Sequence, residues 1–308
     1  AGASQPARHR MAQSAPTQPR IAAPVAFDAE IQAAGDGATR LIVKLSRTIA
    51  ASSFVLERPD RIIVDLPEVN FQLGEDAGQK AIGLIRSYRF GLFGPGKSRM
   101  VIDLAQPALA EAEVEPLGEQ GHAALTIKLT RTDRQIFAKN AREPQRVASI
   151  TQSPPPPTAD GRPMLVIDPG HGGVDPGARS RTGLHEKALV FDVAKALREK
   201  LMATGRYRVA MTRDDDVFVT LSDRVKFARQ LQADLLISLH ADALAAHDGV
   251  RGASVYTGSD KASDAYAAKL AESENKADTA AGADGAGELI DDVNDILSDL
   301  TRRETRAF

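Results

Sequence analysis

The sequence predicts an α/β domain with a mostly parallel sheet covered by helices, preceded by an all-β sandwich. Three observations carry this. Short alternating apolar runs, separated by turn clusters, recur between Phe27 and about Ile136, as sandwich strands do. The consecutive prolines Pro154-Pro155-Pro156-Pro157 then interrupt the chain; such a run fits neither a helix nor a central strand and favours an extended spacer. After Pro163 strands and helices alternate, the pattern that packs helices on both faces of parallel strands.

Residues 1–25 are rich in Ala, Pro, Gln and Ser, lack periodicity, and are expected to be disordered. Residues 26–137 hold the sandwich. Leu41, Val43 and Leu45 alternate inward along Thr39 to Ser46, and Arg61 to Leu66, Ser98 to Leu104 and Ala124 to Thr130 are of similar kind. Gly35-Asp36-Gly37 and Gly94-Pro95-Gly96 supply turns. Residues 138–162 form the proline-rich linker and 163–308 the α/β domain. There, strands are expected at 164–168, 207–212, 234–239 and 252–257, and helices at 186–203, 221–233 and 260–276. The first of these helices rests on Leu189, Val190, Val193, Ala194, Leu197 and Leu201, which recur at three and four. A last helical pattern uses Ile290, Val293, Ile296, Leu297 and Leu300. No repeat of solenoid type is present.

Composition removes several function classes. Lys plus Arg is 39 and Asp plus Glu 41, a formal charge of −2, without the basic excess of a nucleic-acid binder. With no cysteine, thiolate zinc sites, Fe–S clusters and disulfides are excluded. No apolar stretch reaches the roughly 20 residues a membrane-spanning helix needs. The chain begins at Ala1 with a polar segment and no apolar signal core; a processed signal peptide, a fragment, or both are expected.

Chemistry concentrates at strand ends. Leu165-Val166-Ile167-Asp168 runs into Pro169-Gly170-His171-Gly172-Gly173, and Leu235-Leu236-Ile237-Ser238-Leu239 runs into His240-Ala241-Asp242. Glu186 opens the helix between them. The carboxyl ends of strands in open α/β sheets form the ligand crevice, so His171, Glu186 and His240 are placed where they could converge, and two His with one Glu is a set that catalytic zinc uses. Each residue alone has a plainer reading. A lone histidine after a strand is commonly a turn residue, Glu186 suits any first helical turn, and His185 is a rival ligand. Asp168 and Asp242 are read either as acceptors that orient ligand imidazoles or as strand terminators. Arg213 and Arg224 are candidates for substrate contact or, in the stronger reading, partners of Asp214, Asp215 or Asp216. The glycine-rich turn matches neither the dinucleotide fingerprint nor the P-loop.

Val166-Ile167-Asp168-Pro169-Gly170-His171-Gly172-Gly173, Glu186-Lys187, Met211-Thr212-Arg213 and Ser238-Leu239-His240-Ala241-Asp242 together resemble the zinc-dependent N-acetylmuramoyl-L-alanine amidases of bacterial cell-wall remodelling, of the AmiA/AmiB/AmiC type. By texture and position, residues 27–136 are similar to the AMIN domain, a β-sandwich that targets such enzymes to peptidoglycan at the division site. The resemblance implies one zinc ion on His171, Glu186 and His240, with cleavage of the amide between N-acetylmuramic acid and L-alanine during septum splitting. It also implies a periplasmic location, peptidoglycan as substrate, and an activator of the EnvC or NlpD type.

The family's general base is a glutamate in a late Val-Glu-x-x-Phe-x-Ser-Asn strand motif, and residues 251–308 contain no such motif. The base is therefore expected beyond Phe308, with this chain binding zinc but hydrolysing poorly or not at all. The resemblance further implies an inserted helix, here within 278–300, that shuts the site with a carboxylate; Glu288 is the first candidate and Glu274 the second. Two rivals remain: a non-catalytic wall-binding or scaffold protein, and a peptidase acting on the stem peptide.

Overall fold

The computed structural model describes residues 22–33, 37–74, 76–118, 121–142, 161–241, 252–257, 274 and 276–283. Nine strands and one short helix make the N-terminal unit: β1 (Val25–Ala33), β2 (Thr39–Leu45), β3 (Ser52–Leu56), β4 (Arg61–Pro67), β5 (Asn70–Phe71), β6 (Ile85–Gly94), β7 (Lys97–Leu104), β8 (Ala108–Leu117), β9 (His122–Arg131) and α1 (Arg134–Asn140). They form a five-stranded sheet, β5-β1-β2-β9-β8, and a four-stranded sheet, β3-β4-β7-β6. The sheets share one core because each contributes the inward set of an alternating strand: Leu41, Val43 and Leu45 from β2 and Leu125, Ile127 and Leu129 from β9 meet Ile62, Val64 and Leu66 from β4 and Met100 and Ile102 from β7. Each such side chain contributes about 1.5–3 kcal/mol by leaving water. Phe137 of α1 joins this core, and Arg142 N–H donates to Val55 O, so the ordered unit runs a few residues into the expected linker. Most of that linker, residues 143–160, lies outside the described residues.

β4 and β7 are buried on both faces. Their inward residues fill the sandwich, while Arg61, Ile63, Arg99 and Val101 point the other way and are also buried. Alternation predicts one polar face here; the α/β unit covers that face instead.

The α/β unit contains β10 (Met164–Pro169), α2 (Glu186–Ala203), β11 (Arg208–Met211), α3 (Leu221–Gln230), β12 (Leu235–Leu239) and a single turn, α4 (Ala277–Ala280). The three strands are parallel in the order β11-β10-β12. Ile167 and Met211 pack with Ala194, Phe191 and Leu197 of α2, whereas Met164 and Val166 pack with Phe227 and Ala228 of α3. Thr220 begins α3 by accepting from Asp223 N–H, the usual way a helix start satisfies a free donor.

Two expectations need correction. Leu189 and Val193 are not on the buried stripe of α2; they stand at 43% and 48% exposure while Glu186, Val190 and Ala194 face inward. An apolar residue at i+3 can lie on the flank of a helix whose buried stripe is narrow. Gly252–Thr257 is not a strand, and Val255 is 89% exposed; β propensity without a pairing partner does not make a sheet. The expected helices at 260–276 and about 290–300 fall on residues that are almost all outside the described ones.

Candidate metal centre

The loop after β10 turns sharply enough to hold His171 in the left-handed region, at φ 57°, a conformation that costs a non-glycine residue free energy and needs outside support. Two buried arginines supply it. Arg224 donates to Val219 O (3.0 Å), Pro169 O (2.9 Å) and His171 O (2.9 Å). Arg213 donates to Pro169 O, Gly170 O and Lys187 O at 2.9–3.0 Å and lies over the Phe191 ring. A guanidinium has five N–H groups in a rigid fork, so two of them can satisfy a run of inward carbonyls. Gly170 is needed because a Cβ there would run into the His240 ring.

Asp168 locks the same region from below. It accepts from Arg224 Nη1 (2.7 Å), Thr212 Oγ1 (2.6 Å) and Ser238 Oγ (2.9 Å), tying β10 to the ends of β11 and β12. Burial opposes its charge, yet Arg224 and the two hydroxyls hold its carboxyl below the usual range. Asp168 thus contacts no ligand imidazole in these bonds. Arg213 and Arg224 are spent on the loop rather than turned to substrate, and Asp214 and Asp216 pair with Arg198 and Lys187.

The carboxylate that does orient a ring is one the sequence reasoning missed. Asp175 Oδ2 lies 2.9 Å from His171 Nδ1, and its Oδ1 accepts from Gly177 N–H. A tight reversal, with Gly172 and Asp175 exchanging backbone hydrogen bonds, folds the turn back onto the ring. The signal was present as an acid four residues after the histidine in Gly172-Gly173-Val174-Asp175-Pro176-Gly177.

With Nδ1 engaged, His171 directs Nε2 at Glu186 Oε1, 3.1 Å away. Glu186 is 4% exposed; its two oxygens accept from Ala178 N–H (2.9 Å) and Ala241 N–H (2.7 Å). His240, just past β12, brings Nδ1 to 3.4 Å from Glu186 Oε1 and 3.2 Å from His171 Nε2. Glu274 Oε2 completes the group at 3.1 Å from His240 Nδ1 and 3.7 Å from His171 Nε2. Ligands about 2.0–2.1 Å from a tetrahedral zinc ion stand about 3.3 Å apart, so the His171, Glu186 and His240 donors, 3.1–3.4 Å apart, fit one such ion. Among the described residues, the His171, His240 and Glu274 donor atoms lie within 4.8 Å of one another.

The electrostatics agree. Burial disfavours an imidazolium at His171, but the hydrogen bonds to Asp175 and Glu186 outweigh it and push the group up to about 10. Burial likewise opposes the Glu186 carboxylate, yet His171, His240 and the Ala241 N–H hold it far below its usual value. The carboxylates around these rings favour positive charge between them. Asp242 and Glu288 lie outside the described residues, and His185 is at the cap position ahead of α2.

The N-acetylmuramoyl-L-alanine amidase family model matches residues 165–287 and the AMIN domain model residues 28–130. Over 287 residues the chain is 33% identical to the N-acetylmuramoyl-L-alanine amidase AmiC of Neisseria meningitidis, covering 87% of this chain and 68% of that protein. It is 32% identical to AmiC of Escherichia coli O6:H1, covering 88% and 69%. The chain belongs to the N-acetylmuramoyl-L-alanine amidase family. It spans about two thirds of the length of each AmiC relative. AmiA of Escherichia coli K12 is 37% identical over 60% of this chain and 62% of its own length. In these terms the AMIN domain contributes β1–β9, and the amidase domain contributes β10 through α4 with every donor described above.

Asp175 gives the amidase domain a clear test. Asp175→Asn retains the size of the side chain but weakens its hold on His171, and partners of this kind are worth about 10–100-fold in metal affinity. Zinc affinity, read by competition with a chromophoric chelator, is expected to fall in that range.

Asp278 gives another. It is 2% exposed and accepts from Leu221 N–H through both oxygens at 3.1 Å; burial nonetheless pushes its carboxyl up to about 6, against that N–H and Arg224. A folded-state value above the unfolded one means the native protein binds the extra proton. The contribution of Asp278 to stability is therefore greatest below about pH 4, falls as pH rises toward 6, and stays lower above, by up to about 3 kcal/mol. Asp278→Asn accepts the same N–H without charge. Urea melts are expected to show it equal to the parent at pH 4 and more stable at pH 8.

Proposed function

We propose that this chain is a zinc-dependent amidase of the bacterial periplasm that acts on the amide joining N-acetylmuramic acid to L-alanine in peptidoglycan. One observation carries the reading: donors from His171, Glu186 and His240, contributed by two strand ends and a helix start, stand 3.1–3.4 Å apart. Zinc, when bound, supplies a Lewis acid for the amide carbonyl and lowers the pKa of water. The chain's own residues do the rest. Asp175 fixes the tautomer and direction of His171, the backbone N–H groups of Ala178 and Ala241 aim Glu186, and Arg213 with Arg224 hold the strained turn.

Glu274 is the group we assign to closing the site, ahead of Glu288. Its carboxylate meets both imidazoles, where it would compete with a substrate oxygen, and an activator of the EnvC or NlpD type would act by withdrawing it. The role in septum splitting, the AMIN domain as peptidoglycan-targeting unit and the tether, expected at 138–162 but starting only after Arg142, belong to the same proposal. A tether keeps binding and cleavage local by raising effective concentration. The proposal extends the three described parallel strands into a larger, mostly parallel sheet covered by helices, and takes the general-base glutamate from outside residues 251–308.

Zinc content and product chemistry test this independently of turnover rate. The purified chain, dialysed against trace zinc, is expected to hold one equivalent and to lose it to chelator. Mass spectrometry of sacculi digested by the amidase domain together with its general-base glutamate is expected to find released peptides beginning with L-alanine, with little or no release by residues 1–308 alone; shortened stem peptides still attached to glycan would instead identify a peptidase.

A further inference from the structure

The outer face of the β3-β4-β7-β6 sheet is covered by the segment that carries Glu274. Phe54, Leu56, Ile63, Phe93 and Val101 of the AMIN domain are buried together with Val174, Phe218, Ala281 and Ala283 of the amidase domain. Around this apolar centre three arginines reach the same stretch of backbone. Arg61 donates to Thr279 O and Ala280 O, Arg89 to Ala280 O, and Arg99 to Ala281 O and Gly282 O. These are carbonyls at and just past the end of α4, where the helix supplies few donors; Thr279 O also accepts from Gly282 N–H. Gly282 has φ +72°, and a Cβ there would lie 3.0 Å from Ile63 and 3.2 Å from Arg99, so the backbone sits flush on the sheet.

Two of the arginines are also held by carboxylates of their own sheet. Arg99 is held by Asp65 at 2.6 Å and Arg89 by Asp103 at 2.7 Å. The antiparallel register opposes Arg61 to Asp103 and Asp65 to Arg99, because Arg61-Ile62-Ile63-Val64-Asp65-Leu66 and Arg99-Met100-Val101-Ile102-Asp103-Leu104 share one pattern. Such a strand pair would normally leave its charges facing water, yet Arg61 and Arg99 are each 1% exposed. The same domain also touches the other side of the metal centre: Val174 N–H donates to Leu92 O, and Gly91 leaves no room for a Cβ against Gly173.

We propose that this arginine-bearing face of the AMIN domain is a docking surface for residues 276–283 and that docking holds Glu274 against His171 and His240. The proposal rests on the reading that Glu274 closes the metal site. The AMIN domain is then a clamp as well as a targeting unit. Opening requires the segment to exchange its carbonyl bonds with Arg61, Arg89 and Arg99 for bonds to water.

The test uses the full zinc-loaded chain and two readouts, hydrogen exchange of residues 276–283 and the rate of zinc loss to excess chelator. Arg61→Met combined with Arg89→Met is expected to remove protection from 276–283 and to speed zinc loss about tenfold or more, while β2 and β9 amides stay protected. Unchanged protection of 276–283 in that variant overturns the proposal. Ala281→Lys places a charge at the apolar centre from the segment side, where it cannot disturb the sandwich core, and must give the same loss of protection; if it does not, the proposal fails even where the arginine variant unfolds. Glu274→Gln separates the two ideas. It is expected to speed zinc loss with 276–283 still protected. No change in zinc loss would refute Glu274 as the closing group, leaving the docking surface to be judged by exchange alone.

Discussion

Glu186→Gln is expected to lower zinc affinity by roughly 100-fold or more, beyond what loss of a supporting partner costs. The glutamate is the anionic member of the donor set, and its oxygens already accept from Ala178 N–H and Ala241 N–H. A glutamine keeps one acceptor but turns its NH₂ toward one of those N–H groups, leaving a buried donor without a partner at a cost of about 1–3 kcal/mol. The variant should therefore lose both metal affinity and stability. Calorimetric titration with zinc, paired with a thermal melt in chelator, separates the effects. Parent-like affinity in the variant would remove Glu186 from the metal site and leave Glu274 as the carboxylate donor.

Arg224→Met is expected to destabilise the amidase domain by about 3–5 kcal/mol, the usual cost of removing one partner from a buried ion pair. Arg224 and Asp168 side chains are 6% and 5% exposed, with 2.7 Å between their charged atoms. Without the guanidinium, Asp168 retains only the Thr212 and Ser238 hydroxyls, and the Pro169 and His171 carbonyls lose a donor. Because the native pair holds Asp168 below its usual pKa, its contribution is present above about pH 4 and is lost as pH falls through the lowered value. In the variant the lone buried carboxyl rises instead and takes up a proton on modest acidification. Denaturant melts should thus show the gap between parent and variant narrowing as pH drops below about 5. Arg224→Lys should restore little, since a single ammonium cannot span four acceptors arranged for a planar fork. A constant gap at all pH values would mean that Asp168 is not ionised in the parent.

Much of the fold was legible because it depends on local periodicity. Leu41, Val43 and Leu45 announce β2, and the helix expected at 186–203 is α2. The failures share a cause. Leu189 and Val193 fit helical spacing, but what covers a helix flank is not encoded in the helix. Gly252–Thr257 has strand-forming residues, yet pairing depends on a neighbour elsewhere in the chain. Arg61 and Arg99 look like solvent-facing charges of alternating strands and are buried because another domain lies on them.

His171, Glu186 and His240 could be named from sequence because strand ends and a helix start meet at one edge of a parallel sheet and because the motifs around them resemble those of the amidase family, which selects Glu186 over His185. Their meeting follows from chain direction and element order. Tertiary structure alone decided the rest: Asp175 is brought by a glycine turn that folds back on His171, and Glu274, a second candidate in the sequence, is placed by a segment held down across 218 residues of sequence between Arg61 and Thr279. Backbone periodicity is a property of neighbouring residues and is written locally. A contact between distant segments depends on the surfaces both present once folded, and no stretch of the sequence carries it by itself.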